Sequence, residues 1–212
     1  MSRIRKIHRN LVEGRNYFLI DTNFLVNKHI PPAMVPSSHH KRRVEKCISW
    51  WDEIDAQIQS DKARIYVPDI CIAEAYKVLA EKYYKFKWFK NWRDYQKAKI
   101  SLTNQISTSV KELAKYDRKI LCHDISTSRD LIISVDRFFE VCMKKELKVQ
   151  IADLILLATA KYMVDFYDMP AKRIHIVTLD HDLRTCAKYI TELPYVYDPT
   201  ESADTAVRVF TD

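Results

Sequence analysis

The chain has 212 residues, of which 47% are hydrophobic, and a formal net charge of +7. That length suits one domain with insertions, spanning 1–212, and that apolar content supplies a core and excludes a disordered chain. A single glycine, Gly14, excludes a P-loop and a GxGxxG dinucleotide fold.

The charge is uneven. Residues 1–100 carry 20 Lys and Arg against 11 Asp and Glu, and residues 101–212 carry 15 against 17. A basic half beside an acidic half suits a polyanion held near carboxylates; a solvated basic surface is the plainer account. The five cysteines, Cys47, Cys71, Cys122, Cys142 and Cys186, are scattered and form no CxxC pair. They are expected to be reduced and mostly buried in a cytoplasmic protein, with no zinc site. No apolar run is expected to span a membrane.

Residues 1–15 read as a basic arm without the apolar stretch of a secretory signal. Tyr17-Phe18-Leu19-Ile20 is a short, continuous apolar run, which predicts a buried parallel strand. Asp21 ends it, and Thr22-Asn23-Phe24-Leu25-Val26 opens a helix that Pro31-Pro32 stops. Asp21 therefore lies at the carboxyl end of a strand, where open α/β sheets place ligands. Capping of the next helix is an equal account of it.

Ser38 is a candidate cap for an amphipathic helix over 40–60, with Val44, Cys47, Ile48, Trp51, Ile54 and Ile58 inward. The His39-His40 pair reads as solvated surface, since no further ligand flanks it at metal spacing. Residues 64–68 predict a second strand, with Pro68 suited to starting the helix over 69–84. Ile72, Tyr76, Leu79 and Tyr83 form the expected inward stripe of that helix. Glu74 borders it; an ordinary surface glutamate is the alternative.

Residues 82–99 interleave basic and aromatic side chains. Tyr84, Trp88, Trp92 and Tyr95 can share one helical face, whereas Tyr83, Phe86 and Phe89 do not fit it. Core or partner packing is one reading. Nucleic-acid contact through Lys85, Lys87, Trp88, Lys90 and Arg93 is the other. A helical insertion over 85–116 is expected here. Residues 119–124 predict a third strand, at whose end His123 is a general base or a structural histidine. Ser128 starts a helix to about residue 145, with Ile132, Val135, Phe138, Phe139 and Cys142 inward.

An apolar helix follows over 150–166, with Asp153 near its start beside Leu156 and Leu157. The helix dipole favours an acid there, but the apolar neighbours call for a partner. Residues 173–178 predict a buried strand, followed by Asp180 and Asp182. Capping of the next helix accounts for Asp182 and not, on this reading, for Asp180. Residues 194–199 make a last, edge strand.

Asp21, Glu74, Asp153 and Asp180 all sit near βα-type termini, which a parallel sheet gathers on one edge. Clustered carboxylates repel and raise one another's pKa unless a hard cation such as Mg²⁺ or Mn²⁺ joins them. The chemistry that follows is hydrolysis of a phosphodiester by a metal-activated water.

The segments Ile20-Asp21-Thr22-Asn23, Glu74 after Val67-Pro68, Ala152-Asp153-Leu154-Ile155, and Thr178-Leu179-Asp180-His181-Asp182-Leu183 together resemble the PIN-domain family. The resemblance spans about residues 16–198 and keeps the family's order. It implies a three-layer α/β/α fold with a mainly parallel sheet and extra helices around 38–60 and 85–116. It further implies a Mg²⁺- or Mn²⁺-dependent endoribonuclease. Asp21, Glu74, Asp153 and Asp180 would be catalytic ligands, and Asp182 a supplementary ligand. Asn23 and Thr178 would orient them by hydrogen bonds. RNA as substrate, an antitoxin or other inhibitor protein as partner, and a homodimer are implied with it.

The extra length departs from the compact toxins of that family. A structure-specific DNA nuclease and a catalytically silent RNA- or protein-binding module remain as alternatives. A haloacid-dehalogenase phosphatase does not, because Asp21-Thr22-Asn23 lacks the second aspartate.

Overall fold

The structure is a computed structural model that describes residues 14–106, 123–125, 127–190, 193–201 and 209–210. The strands β1 (Asn16–Ile20), β2 (Ala63–Pro68), β3 (His123–Ile125), β4 (Ile174–Val177) and β5 (Tyr195–Tyr197) form one sheet in the order β3-β2-β1-β4-β5. Every neighbouring pair is parallel. Parallel neighbours need crossovers, and helices supply them. These are α1 (Thr22–Lys28), α2 (Ser38–Gln59), α3 (Asp69–Tyr84), α4 (Trp92–Ile106), α5 (Arg129–Lys144), α6 (Ile151–Asp165) and α7 (His181–Lys188). The result is a three-layer, PIN-like α/β/α fold.

Every residue of β1 and β4 is buried, as a sheet covered on both faces requires. Phe18 on β1 packs 5.2 Å from the His175 ring on β4 and 6.0 Å from Phe210. Trp50 of α2 meets Phe210 edge-on at 5.2 Å, so α2 covers this face. The Phe24 and Trp51 rings stack at 5.0 Å, and Trp51 Nε1 donates to the Phe24 carbonyl at 3.0 Å. Burial of two such side chains contributes roughly 2–3 kcal/mol each. It pins α1, and with it the end of β1, to α2.

The strand order reverses direction between β1 and β4. Such a switch point leaves a crevice beyond the strands' carboxyl ends. Asp21 follows β1 there, and Thr178 follows β4.

Several expectations need correction. The cap of α2 is Ser37, whose side chain accepts from His40 N–H at 3.2 Å; Ser38 is the first helical residue. The buried line of α3 is Cys71, Ala75 and Leu79, with Ile72, Tyr76 and Tyr83 half-buried beside it. Residues 85–91 are not helical. α3 is capped at Lys85, and Lys87 adopts φ 55° two residues on, a left-handed conformation that no helix continues through. The chain turns, Phe89 becomes buried, and Tyr84 and Trp92 are left exposed, against the helical-face expectation, while Tyr95 is buried and Phe86 exposed in keeping with it. On α5, Leu131, Phe138 and Cys142 face inward, while Ile132 and Phe139 are exposed.

The cysteines are not all reduced. Cys142 and Cys186 form a disulfide joining α5 to α7. The spacing of these two in the sequence carries no trace of the pairing, because only packing brings the helices together. Cys47 and Cys71 are free and buried, and Cys122 lies outside the described residues, as does the 107–116 part of the expected insertion. Among the described residues no helix is long and apolar enough to cross a membrane.

Candidate functional site

Asp21 extends the β1–β4 ladder by one bond, its N–H donating to the Val177 carbonyl at 3.0 Å. Its backbone caps α1, but its carboxylate makes no capping bond. Capping therefore does not account for the side chain, which is 3% exposed. Thr178 Oγ1 donates to Asp21 Oδ2 at 3.1 Å instead. Burial, and then the charges of Asp153, Glu74 and Asp180, push the Asp21 pKa up to about 7 against the help of Thr178.

Glu74 stands on the second turn of α3 and is half-buried. Thr22, the first residue of α1, donates to Glu74 Oε2 at 2.8 Å. Asp153 closes a capping box at the start of α6, accepting from Gln150 N–H at 3.1 Å. Burial, with the charges of Asp180 and Glu74, still pushes its pKa up to about 6. Asp180 caps α7, accepting from Leu183 N–H at 2.7 Å, while its own N–H donates to Thr178 Oγ1 at 2.9 Å. This corrects the sequence reading: the cap is Asp180, not Asp182. Asp182 accepts from Lys148 N–H at 3.1 Å and is not among the charges acting on Asp21 or Asp153.

Four acids thus act on one another at the carboxyl edge of the sheet, delivered by β1, α3, α6 and the β4–α7 junction. As placed, no three His, Cys, Asp or Glu side chains among the described residues close into a group able to hold a metal. Each acid turns one oxygen toward a protein donor: Thr178 Oγ1, Thr22 Oγ1, Gln150 N–H and Leu183 N–H. The donor set itself is all oxygen and partly desolvated, which fits a hard divalent cation.

Asn23 is exposed and shows no side-chain hydrogen bond to these acids, whereas its neighbour Thr22 donates to Glu74. Sequence reading passed over Thr22. The available signal was a hydroxyl between the strand-end acid and an apolar helix.

Lys85, Lys87, Lys90 and Arg93 are exposed and Trp88 is half-buried. The basic residues that line a cavity together with Asp180 were not among those expected. A cavity of about 410 Å³ adjoins the site, lined by Asn23, Arg43, Lys82, Phe86, Trp88 and Asp180 among others. Arg43 donates to the Leu179 carbonyl, one residue before Asp180. Lys82 Nζ lies 3.8 Å from the Trp88 ring centroid.

No protein-family model matches this chain, and no curated protein matches it. Among solved structures, FitAB bound to an IR36 DNA fragment is similar at a TM-score of 0.50 and 14% identity, covering 87% of this chain and 96% of that one. FitAcB from Neisseria gonorrhoeae has a TM-score of 0.49 at 17% identity, covering 87% of this chain and 99% of that one. VapBC2 from Rickettsia felis, bound to a DNA fragment from its promoter, has 0.47 at 14%, covering 86% and 98%. What this chain shares with the FitAB chain is the fold.

Proposed function

We propose that the protein is a metal-dependent endoribonuclease of PIN type. The observation that carries this reading is the convergence of Asp21, Glu74, Asp153 and Asp180 at the switch point, where burial and mutual repulsion raise the pKa of Asp21 and Asp153. Asp21, Glu74, Asp153 and Asp180 would hold Mg²⁺ or Mn²⁺. When bound, such an ion supplies an activated water and offsets charge on the phosphate and leaving oxygen. Thr178 holds the Asp21 carboxylate, and Thr22 holds that of Glu74, in fixed orientation. Burial of Asp21 keeps bulk water from its carboxylate. Asp182, tied to Lys148 N–H, belongs to the reading only as an outer ligand.

A role as a toxin with an inhibitor protein is the narrower part of the proposal. Its support is a row of exposed apolar side chains on α5, Ile132, Phe139 and Met143, which share one helical face. An inhibitor or a second copy of the chain would cover it. The likeness to a chain of the FitAB complex is compatible with a protein partner.

A second reading is a silent RNA- or protein-binding module. It is favoured by the structural use of two acids, Asp153 and Asp180, as helix caps. Cleavage of a panel of single-stranded and structured RNAs with Mg²⁺, Mn²⁺ or EDTA separates the two. Metal-dependent cleavage that is lost in Asp21→Asn supports the nuclease. Tight RNA binding without cleavage under any divalent ion supports the module.

A further inference from the structure

The cavity beside Asp180 holds two cations, Arg43 from α2 and Lys82 from α3. Neither forms an ion pair with a carboxylate among the described residues. Arg43 Nε is buried without a hydrogen-bond partner. Burial and the Arg43 charge push the Lys82 ammonium down to about 8, and burial, His39, Lys82 and Arg43 lower His40 beside them. Like charges gathered in a half-buried space are costly until an anion joins them.

The surroundings hold the cations in place. The Trp88 ring lies 3.8 Å from Lys82 Nζ, and Trp88 N–H donates to the Lys82 carbonyl at 2.8 Å across the left-handed turn at Lys87. The hydrogen bond to the Leu179 carbonyl fixes Arg43 beside the acid edge. Phe86 lines the same cavity and is 51% exposed, with Lys85 Nζ 5.4 Å from its ring centroid, so part of the ring is accessible and a cation stands over it.

We propose that this cavity is a subsite for single-stranded nucleic acid. It would take the phosphodiester next to the cleaved bond on Arg43 and Lys82, and stack the attached base on Phe86. Trp88 is a positioning residue that holds the Lys82 ammonium. The volume, about 410 Å³, falls in the range of small-ligand sites. Paired cations with an aromatic ring match a nucleotide better than an acidic peptide, which has no base to stack. The proposal rests on the nuclease reading for its substrate, and on the cavity alone for its geometry.

The test is equilibrium binding of fluorescent hexauridylate to the full chain in EDTA, over a salt series. Lys82→Gln is expected to weaken binding about tenfold and to reduce the salt slope by roughly 0.7, the loss of one single-strand phosphate contact. Lys82→Arg is expected to restore both, which separates lost charge from a misfolded variant. Trp88→Ala should weaken binding with less change of slope, because it removes no charge.

Unchanged affinity and slope in Lys82→Gln overturn the subsite. Hexaglutamate competing as well as hexauridylate overturns it in favour of a peptide site. Inorganic phosphate competing as well as uridine 5′-monophosphate overturns the base contact at Phe86. Metal-dependent cleavage with an unaltered KM in Lys82→Gln sinks the subsite and leaves the nuclease standing. Lys82-sensitive binding, with no cleavage by the wild type under any divalent ion, supports the subsite and removes the nuclease.

Discussion

Thr178 Oγ1 donates to Asp21 Oδ2 at 3.1 Å and accepts from Asp180 N–H at 2.9 Å. A donor from β4 is thus fixed to the acid from β1, at the junction that also sets the backbone of Asp180. Thr178 is itself fully buried. Thr178→Val keeps the shape and removes the hydroxyl. It leaves a buried carboxylate and a part-buried N–H short of one partner each, a loss of about 1–3 kcal/mol in urea unfolding. Thr178→Ser keeps the hydroxyl and should lose clearly less. Equal losses in the two variants would mean that the methyl group, not the hydrogen bond, matters.

The raised pKa of Asp21 makes stability depend on pH. The folded-state value of about 7 stands above the ordinary 3.8. Neutral Asp21 therefore contributes stability that is fully present below about pH 4 and is lost as pH rises through about 7. In EDTA, Asp21→Asn is expected to be more stable than the wild type at about pH 8, by on the order of 2–4 kcal/mol. The gap should close by about pH 4. His29 and His175, pushed down to about 4 by burial, impose the opposite slope and do so in both proteins. Parallel stability curves across this range would show that Asp21 ionises without cost.

If the four acids hold a divalent ion, binding to the folded state alone raises Tm by mass action. Mn²⁺ or Mg²⁺ added at about pH 8, at about a hundredfold its Kd, should stabilise the wild type by about 2.7 kcal/mol. Asp21→Asn and Glu74→Gln should respond much less. Asp182→Asn should lose much less of the response than either, because Asp182 is tied to Lys148 N–H and enters only as an outer ligand. An equal Tm shift in Asp21→Asn would remove the metal from the proposal, whatever the cleavage assay shows.

The Cys142–Cys186 disulfide closes a loop with a sequence separation of 44. Alkylation under non-reducing conditions should leave these two unmodified in the unfolded protein. Reduction, or Cys142→Ser with Cys186→Ser, should lower stability by about 2–4 kcal/mol in the loop-entropy account. Full alkylation of the oxidised, unfolded chain would show two thiols instead.

The sequence alone determined the strands and most of the helices, because continuous apolar runs and helical periodicity are local signals. Residues 17–20 and 173–178 read as buried strands for that reason, and α2, α3 and α6 followed within a few residues. The four acids were legible from their places at segment ends, since a parallel sheet brings such ends to one edge. Tertiary structure decided what each polar group does. Asp180 rather than Asp182 caps α7 because backbone geometry aims only one of two neighbouring acids at Leu183 N–H. Thr22 rather than Asn23 meets Glu74 because the packing of α1 on α3 turns one of two neighbours inward. Arg43 and Lys82 lie 39 residues apart in sequence and come to one cavity only when α2 and α3 have each packed on α1. The Cys142–Cys186 pair has the same origin. Hydrophobic pattern is a property of neighbouring residues, whereas a hydrogen bond, an ion site or a disulfide depends on the distance between residues that the chain itself keeps apart.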